Sequence, residues 1–196
     1  MNTQQTRDFF NRMAPQWDQM SSHNPDKIHT ILGMADIPEN AEILDIATGT
    51  GIMIPFLLDK NPKHITAIDL SDKMIEEARR KCLDPRVSFE TADLYQFNCD
   101  PVDLALIYSA YPHFPDKKAL AEKLYELIKP GGRFMIAHSE SKEKINSRHS
   151  GEHVRKVSEG LQNVETESAY FENLFDIDTM IDTSEIYILS GIRKQK

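Results

Sequence analysis

The sequence is short of cysteine, of long apolar runs and of positive charge, and each shortage argues against a class of protein. Its two cysteines, Cys82 and Cys99, stand in no spacing typical of a metal site or a redox pair, so we expect two packed thiols. No apolar run approaches the roughly 20 residues that a membrane-spanning helix needs. Residues 1–5 are polar and lack the apolar stretch of a signal peptide. The sequence therefore predicts a cytoplasmic protein that does not enter a membrane.

The charge of the chain makes nucleic acid an unexpected partner. The formal net charge is −8 and the sequence pI is about 5.4, and no basic stripe offsets repulsion by a phosphate backbone. The 196 residues suit a single domain over 1–196, because no repeat, low-complexity stretch or linker marks a boundary. We expect a small-molecule partner, and both a monomer and a homodimer remain open.

From residue 42 onward, short apolar runs alternate with helical patterns. The predicted strands cover residues 43–46, 65–68, 87–89, 102–108 and 133–137. Such alternation indicates a parallel sheet covered on both faces. Two further β-rich runs, 175–181 and 186–192, are separated by only four residues, which predicts an antiparallel hairpin. The predicted fold is α/β, a Rossmann-like doubly wound sheet of about seven strands with an antiparallel C-terminal hairpin.

Helix signals occur before the first strand and between the later ones. Residues 3–13 have helical spacing and Pro15 should end that helix, whereas Asn24 should cap the next helix and Gly33 should close it. Ser71 is a predicted cap of the helix after the second strand, and the helix after the first strand is expected over 52–60. Four segments are expected within the domain: an N-terminal lid (1–35), a cofactor-binding core (40–140), a substrate cap (140–166), and a helix with the closing hairpin (167–196).

A glycine-containing loop follows the first strand, in the run Asp45-Ile46-Ala47-Thr48-Gly49-Thr50-Gly51. Glycines at the junction of a strand and a helix let backbone N–H groups approach a ligand, because no side chain blocks the approach. Asp69 ends the second strand, about 20 residues further on, where an acid in nucleotide-binding folds accepts hydrogen bonds from ribose hydroxyls. Ile54 stands where a dinucleotide fingerprint has its third glycine, which argues against an NAD dehydrogenase.

These motifs resemble those of the class I S-adenosylmethionine-dependent methyltransferases. Residues 45–51 resemble the first motif of that family, with Ala47 replacing its first glycine. Residues 69–74 resemble its second motif, residues 92–94 its third, and residues 130–132 are typical of the turn before the fifth strand. Residues 10–18 are similar to the lid segment of the ubiquinone/menaquinone C-methyltransferase group.

The resemblance implies S-adenosylmethionine as cofactor and S-adenosylhomocysteine as product. It implies that Asp45 orients the methionine end, that Gly49 and Gly51 line the cofactor, that Asp69 binds the ribose and that Asp93 receives the adenine amino group. The other cofactor contacts expected on this basis are Ala47, Thr48, Leu70, Met74, Leu94 and Tyr108.

Three histidines follow the strands where a methyl acceptor would bind. His113 follows the fourth strand, His138 closes the fifth and His149 lies in the segment after it. Neutral imidazole suits proton removal near pH 7 and also metal binding. Three interpretations stay open: structural or solvent-facing residues, acid/base or substrate-orienting residues, and a three-histidine site for a divalent metal.

Acceptor contacts are also expected from Trp17, Tyr111 and Arg148. Three further histidines, His23, His29 and His64, are expected to be ordinary surface residues. The predicted function is methyl transfer to a small molecule by in-line displacement. The alternatives are a metal-assisted methyltransferase and a cofactor-binding protein without catalysis.

Overall fold

The computed structural model describes residues 2–148 and 157–195. Strands in that part form one sheet with the order β3-β2-β1-β4-β5-β7-β6. The strands are β1 (Glu42–Ile46), β2 (His64–Asp69), β3 (Val87–Thr91), β4 (Val102–Tyr108), β5 (Ile128–His138), β6 (Phe175–Asp182) and β7 (Tyr187–Arg193). The predicted seven-stranded α/β fold is confirmed.

Strands β1 to β5 are parallel, and their central members are almost wholly apolar because helices cover both faces. β1 pairs with β2 on one side and with β4 on the other. The strand order therefore reverses at β1, and a crevice forms at the carboxyl ends of the strands on either side of such a reversal. β7 pairs antiparallel with β6, as the short 183–186 link requires, and its other edge pairs antiparallel with β5.

The helices occupy the segments between strands and the two ends of the sheet. They are α1 (Thr3–Met13), α2 (Trp17–Met20), α3 (Pro25–Met34), α4 (Ile54–Leu58), α5 (Asp72–Lys81), α6 (Lys117–Leu127), α7 (Lys142–Arg148) and α8 (Val164–Ser168). The predicted caps Asn24 and Ser71 both accept hydrogen bonds from backbone N–H groups of the first turn. Within the described ranges, no helix has the length and apolarity to cross a membrane.

Two helix boundaries differ from the sequence prediction. Gly33 lies inside α3, and the left-handed residue after this helix is Asp36, with φ of 46°. Aspartate tolerates that conformation better than most side chains, so no glycine is needed there. α4 begins at Ile54 rather than at residue 52, because residues 51–53 form a turn that ends the glycine-containing loop.

The core consists of two apolar clusters, one on each face of the sheet. Residues of the 140–166 segment, expected from the sequence to form a substrate cap, also contribute to the core. Ile145, Leu161 and Val164 are buried in one of these clusters, and Val157 is buried as well. Val157, Leu161 and Val164 have the i, i+4, i+7 spacing of a helix face, although only Val164 lies in a helix, so periodicity alone does not describe this segment.

Candidate active site

A cavity of about 480 Å³ lies at the carboxyl ends of the parallel strands. The loops after β1, β2, β3, β4 and β5 form one wall, and α1 with residues 17–23 forms the opposite wall. This is the position that the reversal of strand order at β1 favours. The volume lies in the range of ligand pockets for small molecules and cofactors.

The loop after β1 brings some of the predicted residues to the cavity and keeps others behind it. Ala47, Thr48 and Gly49 line the cavity, and both Ala47 and Gly49 have left-handed φ values near 56°. A Cβ on Gly49 would lie 3.9 Å from Nε1 of Trp17. Asp45 and Gly51, which were expected to reach the cofactor, are not among the lining residues.

Gly51 and Asp45 support the loop from behind. Gly51 has φ of +84°, and a Cβ there would lie 3.3 Å from the Cβ of Ala78 in α5. Its glycine therefore permits close packing of the loop on α5. Asp45 is buried and accepts a hydrogen bond of 2.6 Å from the hydroxyl of Thr48. Burial raises the pKa of Asp45 to about 7, because a charged carboxylate there loses its hydration.

Asp69 ends β2 inside the cavity wall. Its Oδ2 accepts the Gly49 N–H at 2.9 Å and its Oδ1 accepts the Ser71 N–H at 2.8 Å. Burial raises its pKa to about 6, although these two bonds favour the charged form. A carboxylate oxygen has two lone pairs, so each oxygen retains one for a ligand hydroxyl.

The second and third motifs contribute the adjoining part of the wall. Leu70, Met74 and Leu94 line it together with Asp93. Asp93 is half-buried, and its Oδ1 accepts the N–H of Tyr95 at 3.0 Å. An acid and three apolar side chains are an appropriate surface for the edge and faces of a purine ring.

α1 is fastened over this wall by hydrogen bonds that the sequence did not reveal. Arg7 Nε donates to the carbonyl oxygen of Leu70 at 3.1 Å. Asn11 Nδ2 donates to Oδ1 of Asp72 at 2.8 Å, and Asn11 Oδ1 accepts from the hydroxyl of Ser71 at 2.5 Å. We call these contacts the α1 clasp. They join the N-terminal segment to the start of α5 and so enclose the cavity.

The predicted histidines have different environments. His113 lines the cavity, with Nδ1 2.6 Å from the carbonyl oxygen of Val157 and its ring edge-on to Phe10. His138 is buried at the end of β5 and also lines the cavity. His149 lies outside the described residues. Among residues 2–148 and 157–195, no group of three or more His, Cys, Asp or Glu side chains is arranged to hold a metal ion.

Of the three residues expected to contact the acceptor, two line the cavity and one does not. Trp17 and Arg148 line the cavity, and Arg148 forms an ion pair with Glu140. Tyr111 is fully buried outside the cavity, where its hydroxyl donates to Oε2 of Glu167 at 2.7 Å. The expectation for Tyr111 is corrected: the short 3₁₀ turn after β4 points this side chain into the core.

His23 is a cavity residue that the sequence prediction assigned to the surface. Its Nδ1 lies 3.0 Å from Oη of Tyr108, and the Tyr108 hydroxyl donates to Oγ of Ser139 at 2.8 Å. Burial lowers the pKa of His23, and the nearby charge of Arg148 lowers it further. Its sequence context, a polar loop between two helices, contains no signal of this role.

The other two histidines of that group do not line the cavity. His29 is exposed on α3, as predicted, with its ring 5.1 Å from that of Phe56. His64 is half-buried, and its Nε2 lies 2.9 Å from the hydroxyl oxygen of Ser88.

Known proteins resemble this chain in sequence. A family model described as a methyltransferase domain matches residues 43–132. The malonyl-[acyl-carrier protein] O-methyltransferase of Priestia megaterium is 29% identical over 142 residues, which cover 70% of this chain and 52% of that protein. The chain spans about half the length of the malonyl-[acyl-carrier protein] O-methyltransferases that it matches.

Solved structures resemble it in fold. A chain in the complex between the Haloferax volcanii Trm112 methyltransferase activator and a methyltransferase has a TM-score of 0.81 at 18% identity, over 95% of this chain and 98% of that one. The Haemonchus contortus phosphoethanolamine N-methyltransferase 2, solved with S-adenosyl-L-methionine, has a TM-score of 0.76 at 17% identity, over 97% of this chain and 60% of that one. At these identities the likeness establishes the fold.

Proposed function

Because this chain belongs to the class I S-adenosylmethionine-dependent methyltransferases, we propose that it transfers a methyl group from S-adenosylmethionine to a small-molecule acceptor. S-adenosylhomocysteine would be the second product. The observation that carries the proposal is the cavity of about 480 Å³, in which the loop after β1 meets Asp69 and Asp93. The loop of small residues leaves room for an amino acid tail, and the two acids can accept hydrogen bonds from a nucleoside. Together they suit a nucleoside that carries an amino acid tail.

The proposed cofactor contacts follow from the positions of these groups. Asp69 would accept hydrogen bonds from the ribose hydroxyls, and Asp93 would accept one from the adenine amino group. Gly49 would allow the backbone to approach the ligand, since a side chain there would project toward Trp17. Leu70, Met74 and Leu94 would pack on the adenine. Thr48 and Ala47 would lie near the methionine end, with Asp45 acting through its bond to Thr48.

For this reaction the protein must mainly align the acceptor with the methyl group and exclude water from the site. When bound, S-adenosylmethionine supplies a methyl group that is already activated by its sulfonium. The α1 clasp would keep water out, as closing segments do in many transferases. Arg148, His113 and His138 stand on the side of the cavity formed by the loops after β4 and β5, where we place the acceptor.

Several finer features stay predictions from the sequence. They are the lid over 1–35, the substrate cap over 140–166, a cytoplasmic location and a monomer or homodimer. Nucleic acid and membranes are not proposed partners. A metal at His113, His138 and His149 is not part of the proposal, because no described observation favours it.

Calorimetric titration tests the cofactor assignment. S-adenosylmethionine and S-adenosylhomocysteine should each bind one site per chain with micromolar affinity, and NAD should not bind. A second assay follows transfer of a labelled methyl group to small hydroxyl, thiol, amine and carboxyl compounds. Binding of the sulfur nucleosides without transfer to any acceptor would favour a non-catalytic binding protein. Failure of both nucleosides to bind would overturn the proposal.

A further inference from the structure

A row of three hydrogen-bonded side chains crosses the acceptor side of the cavity. His23 comes from the loop between α2 and α3, Tyr108 from the end of β4, and Ser139 from the residue after β5. The two links are 3.0 Å between His23 Nδ1 and Tyr108 Oη, and 2.8 Å between Tyr108 Oη and Ser139 Oγ. All three residues line the cavity. The row therefore joins the N-terminal segment to two strand ends at the place proposed for the acceptor.

The direction of these bonds determines the protonation of His23. The Tyr108 hydroxyl has one proton, which it can donate either to Oγ of Ser139 or to Nδ1 of His23. In the arrangement that we assign, it donates to Ser139, and Nδ1 of His23 then carries the hydrogen and donates to Oη of Tyr108. In a neutral imidazole the other nitrogen, Nε2, is then the one with a free lone pair. A histidine held in one tautomer by a second side chain is the usual arrangement of a general base.

We propose that His23 is the base that removes a proton from the methyl acceptor, and that Tyr108 and Ser139 are the residues that position it. The inference rests on the methyl transfer proposed above. The acceptor oxygen would form a bond to the methyl carbon while the carbon–sulfur bond breaks and its electron pair stays on sulfur. The proton of the acceptor hydroxyl would pass to Nε2 of His23. The Nδ1–H bond to Tyr108 would stabilise the imidazolium that forms.

The charged groups around His23 set the pH at which it can act. Burial and the charge of Arg148 favour the neutral imidazole, and Asp18 on α2 opposes them. The net effect lowers the pKa of His23 below its ordinary value. Arg148 is itself paired with Glu140, and Tyr108 faces the ring from β4. His23 is thus neutral at pH 7, and its activity as a base should fall only in more acidic solution.

The strength of this base also restricts the acceptor. A weakly basic imidazole accepts protons efficiently from groups whose own pKa is not far above neutrality. A phenolic or enolic hydroxyl meets that condition better than an aliphatic hydroxyl. The aromatic rings of Phe10 and Trp17, with centroids 5.7 Å apart, line the same cavity and offer a surface for a planar acceptor. The structure therefore favours O-methylation of a weakly acidic hydroxyl.

The tautomer can be measured without any acceptor. Nitrogen-15 NMR of the full chain with S-adenosylhomocysteine should detect the Nδ1–H form of His23 at pH 7.5, and a pKa lower than that of exposed His29. Tyr108→Phe should abolish the preference for Nδ1–H and move the His23 pKa lower, since the imidazolium loses its acceptor. A wild-type His23 in the Nε2–H form would overturn the inference, whatever the catalytic assays give.

The catalytic arm uses labelled S-adenosylmethionine with a panel of simple phenols, aliphatic alcohols and amines. Phenols should be methylated, and His23→Gln should lower kcat by about 100-fold or more, the usual range for loss of a general base. The matched control His29→Gln, on the exposed face of α3, should keep wild-type kcat. Calorimetry should give His23→Gln the wild-type affinity for S-adenosylhomocysteine.

The outcomes separate this inference from the function on which it rests. If S-adenosylmethionine does not bind the wild-type chain, the proposed function fails. If it binds and His23→Gln retains wild-type kcat, the inference alone fails. Methylation of amines but not of phenols would also overturn the inference and leave methyl transfer in place. In Tyr108→Phe, the acid limb of the kcat/KM profile should move to lower pH, which a merely structural role would not produce.

Discussion

Replacing Asp69 by asparagine should separate cofactor binding from stability. The carboxylate accepts backbone N–H groups from Gly49 and Ser71 and lines the cavity. Asparagine has the same shape and keeps one acceptor oxygen. Its NH₂ group, however, would face one of the two backbone N–H groups, and two donors cannot form a hydrogen bond with each other. The lost charge-assisted bonds to ribose hydroxyls should weaken S-adenosylmethionine binding by about 1–3 kcal/mol. That corresponds to a Kd roughly 5 to 150 times larger.

The same substitution should cost little stability at pH 8. Burial raises the pKa of Asp69 from 3.8 to about 6. Its protonated form therefore stabilises the fold at low pH, and about 3 kcal/mol of that stability is lost as the pH rises through 6. Asparagine is neutral at every pH and avoids this loss, which offsets the backbone bond that it weakens. We expect unfolding free energies within about 1 kcal/mol of wild type at pH 8.

Calorimetry and urea unfolding measure the two effects on the same samples. The matched control is Asp103→Asn, because Asp103 also accepts a backbone N–H, from Glu42 at 2.8 Å, but lies near the start of β4, away from the cavity. It should bind S-adenosylmethionine as wild type does. Wild-type affinity should rise between pH 5 and pH 7 as Asp69 loses its proton, and Asp69→Asn should remove that rise. Unchanged affinity in Asp69→Asn, or a pH dependence that survives the substitution, would refute the ribose assignment.

Three other substitutions test neighbouring parts of the structure. Gly51→Ala should lower the free energy of unfolding by about 1–2 kcal/mol in urea titrations, because the residue is left-handed and its new Cβ would press on Ala78; wild-type stability would show that the loop relaxes. Tyr111→Phe should cost about 1–3 kcal/mol of stability by leaving Glu167 without its hydroxyl donor, while calorimetry gives an unchanged cofactor affinity; a weaker affinity would return this side chain to the site. Asn11→Ala removes two bonds of the α1 clasp and should speed dissociation of S-adenosylhomocysteine about tenfold in stopped-flow measurements, for a loss near 1.4 kcal/mol; an unchanged rate would mean that α1 does not retain the ligand.

The sheet could be predicted because its signals are local. Most of the parallel strands contain a short apolar run, and the short link between β6 and β7 makes these two strands an antiparallel hairpin. The caps Asn24 and Ser71 were likewise visible, since a cap is defined by its own residue and the next three. The glycine-containing loop and Asp69 combine such local signals with a known spacing.

The acceptor side was less predictable because it depends on contacts between distant segments. His23 and Tyr108 are 85 positions apart in the sequence. They come into contact only when the sheet has formed and the N-terminal segment has packed against its strand ends. Asn11 reaches Ser71 and Asp72 in the same way. Tyr111 shows the opposite error: its position after β4 was right, but one turn of 3₁₀ helix decided which way its side chain points. Only the folded backbone supplies that direction.

The fluorescence of Trp17 offers the most direct test that this cavity binds the cofactor. Trp17 is the single tryptophan of the chain and lines the cavity, with Nε1 3.9 Å from the position that a Cβ of Gly49 would take. Titration with S-adenosylmethionine and with S-adenosylhomocysteine should each change its emission to a plateau, and NAD should leave it unchanged. No change with either sulfur nucleoside, at concentrations up to the millimolar range and with no heat in calorimetry, would contradict the central claim.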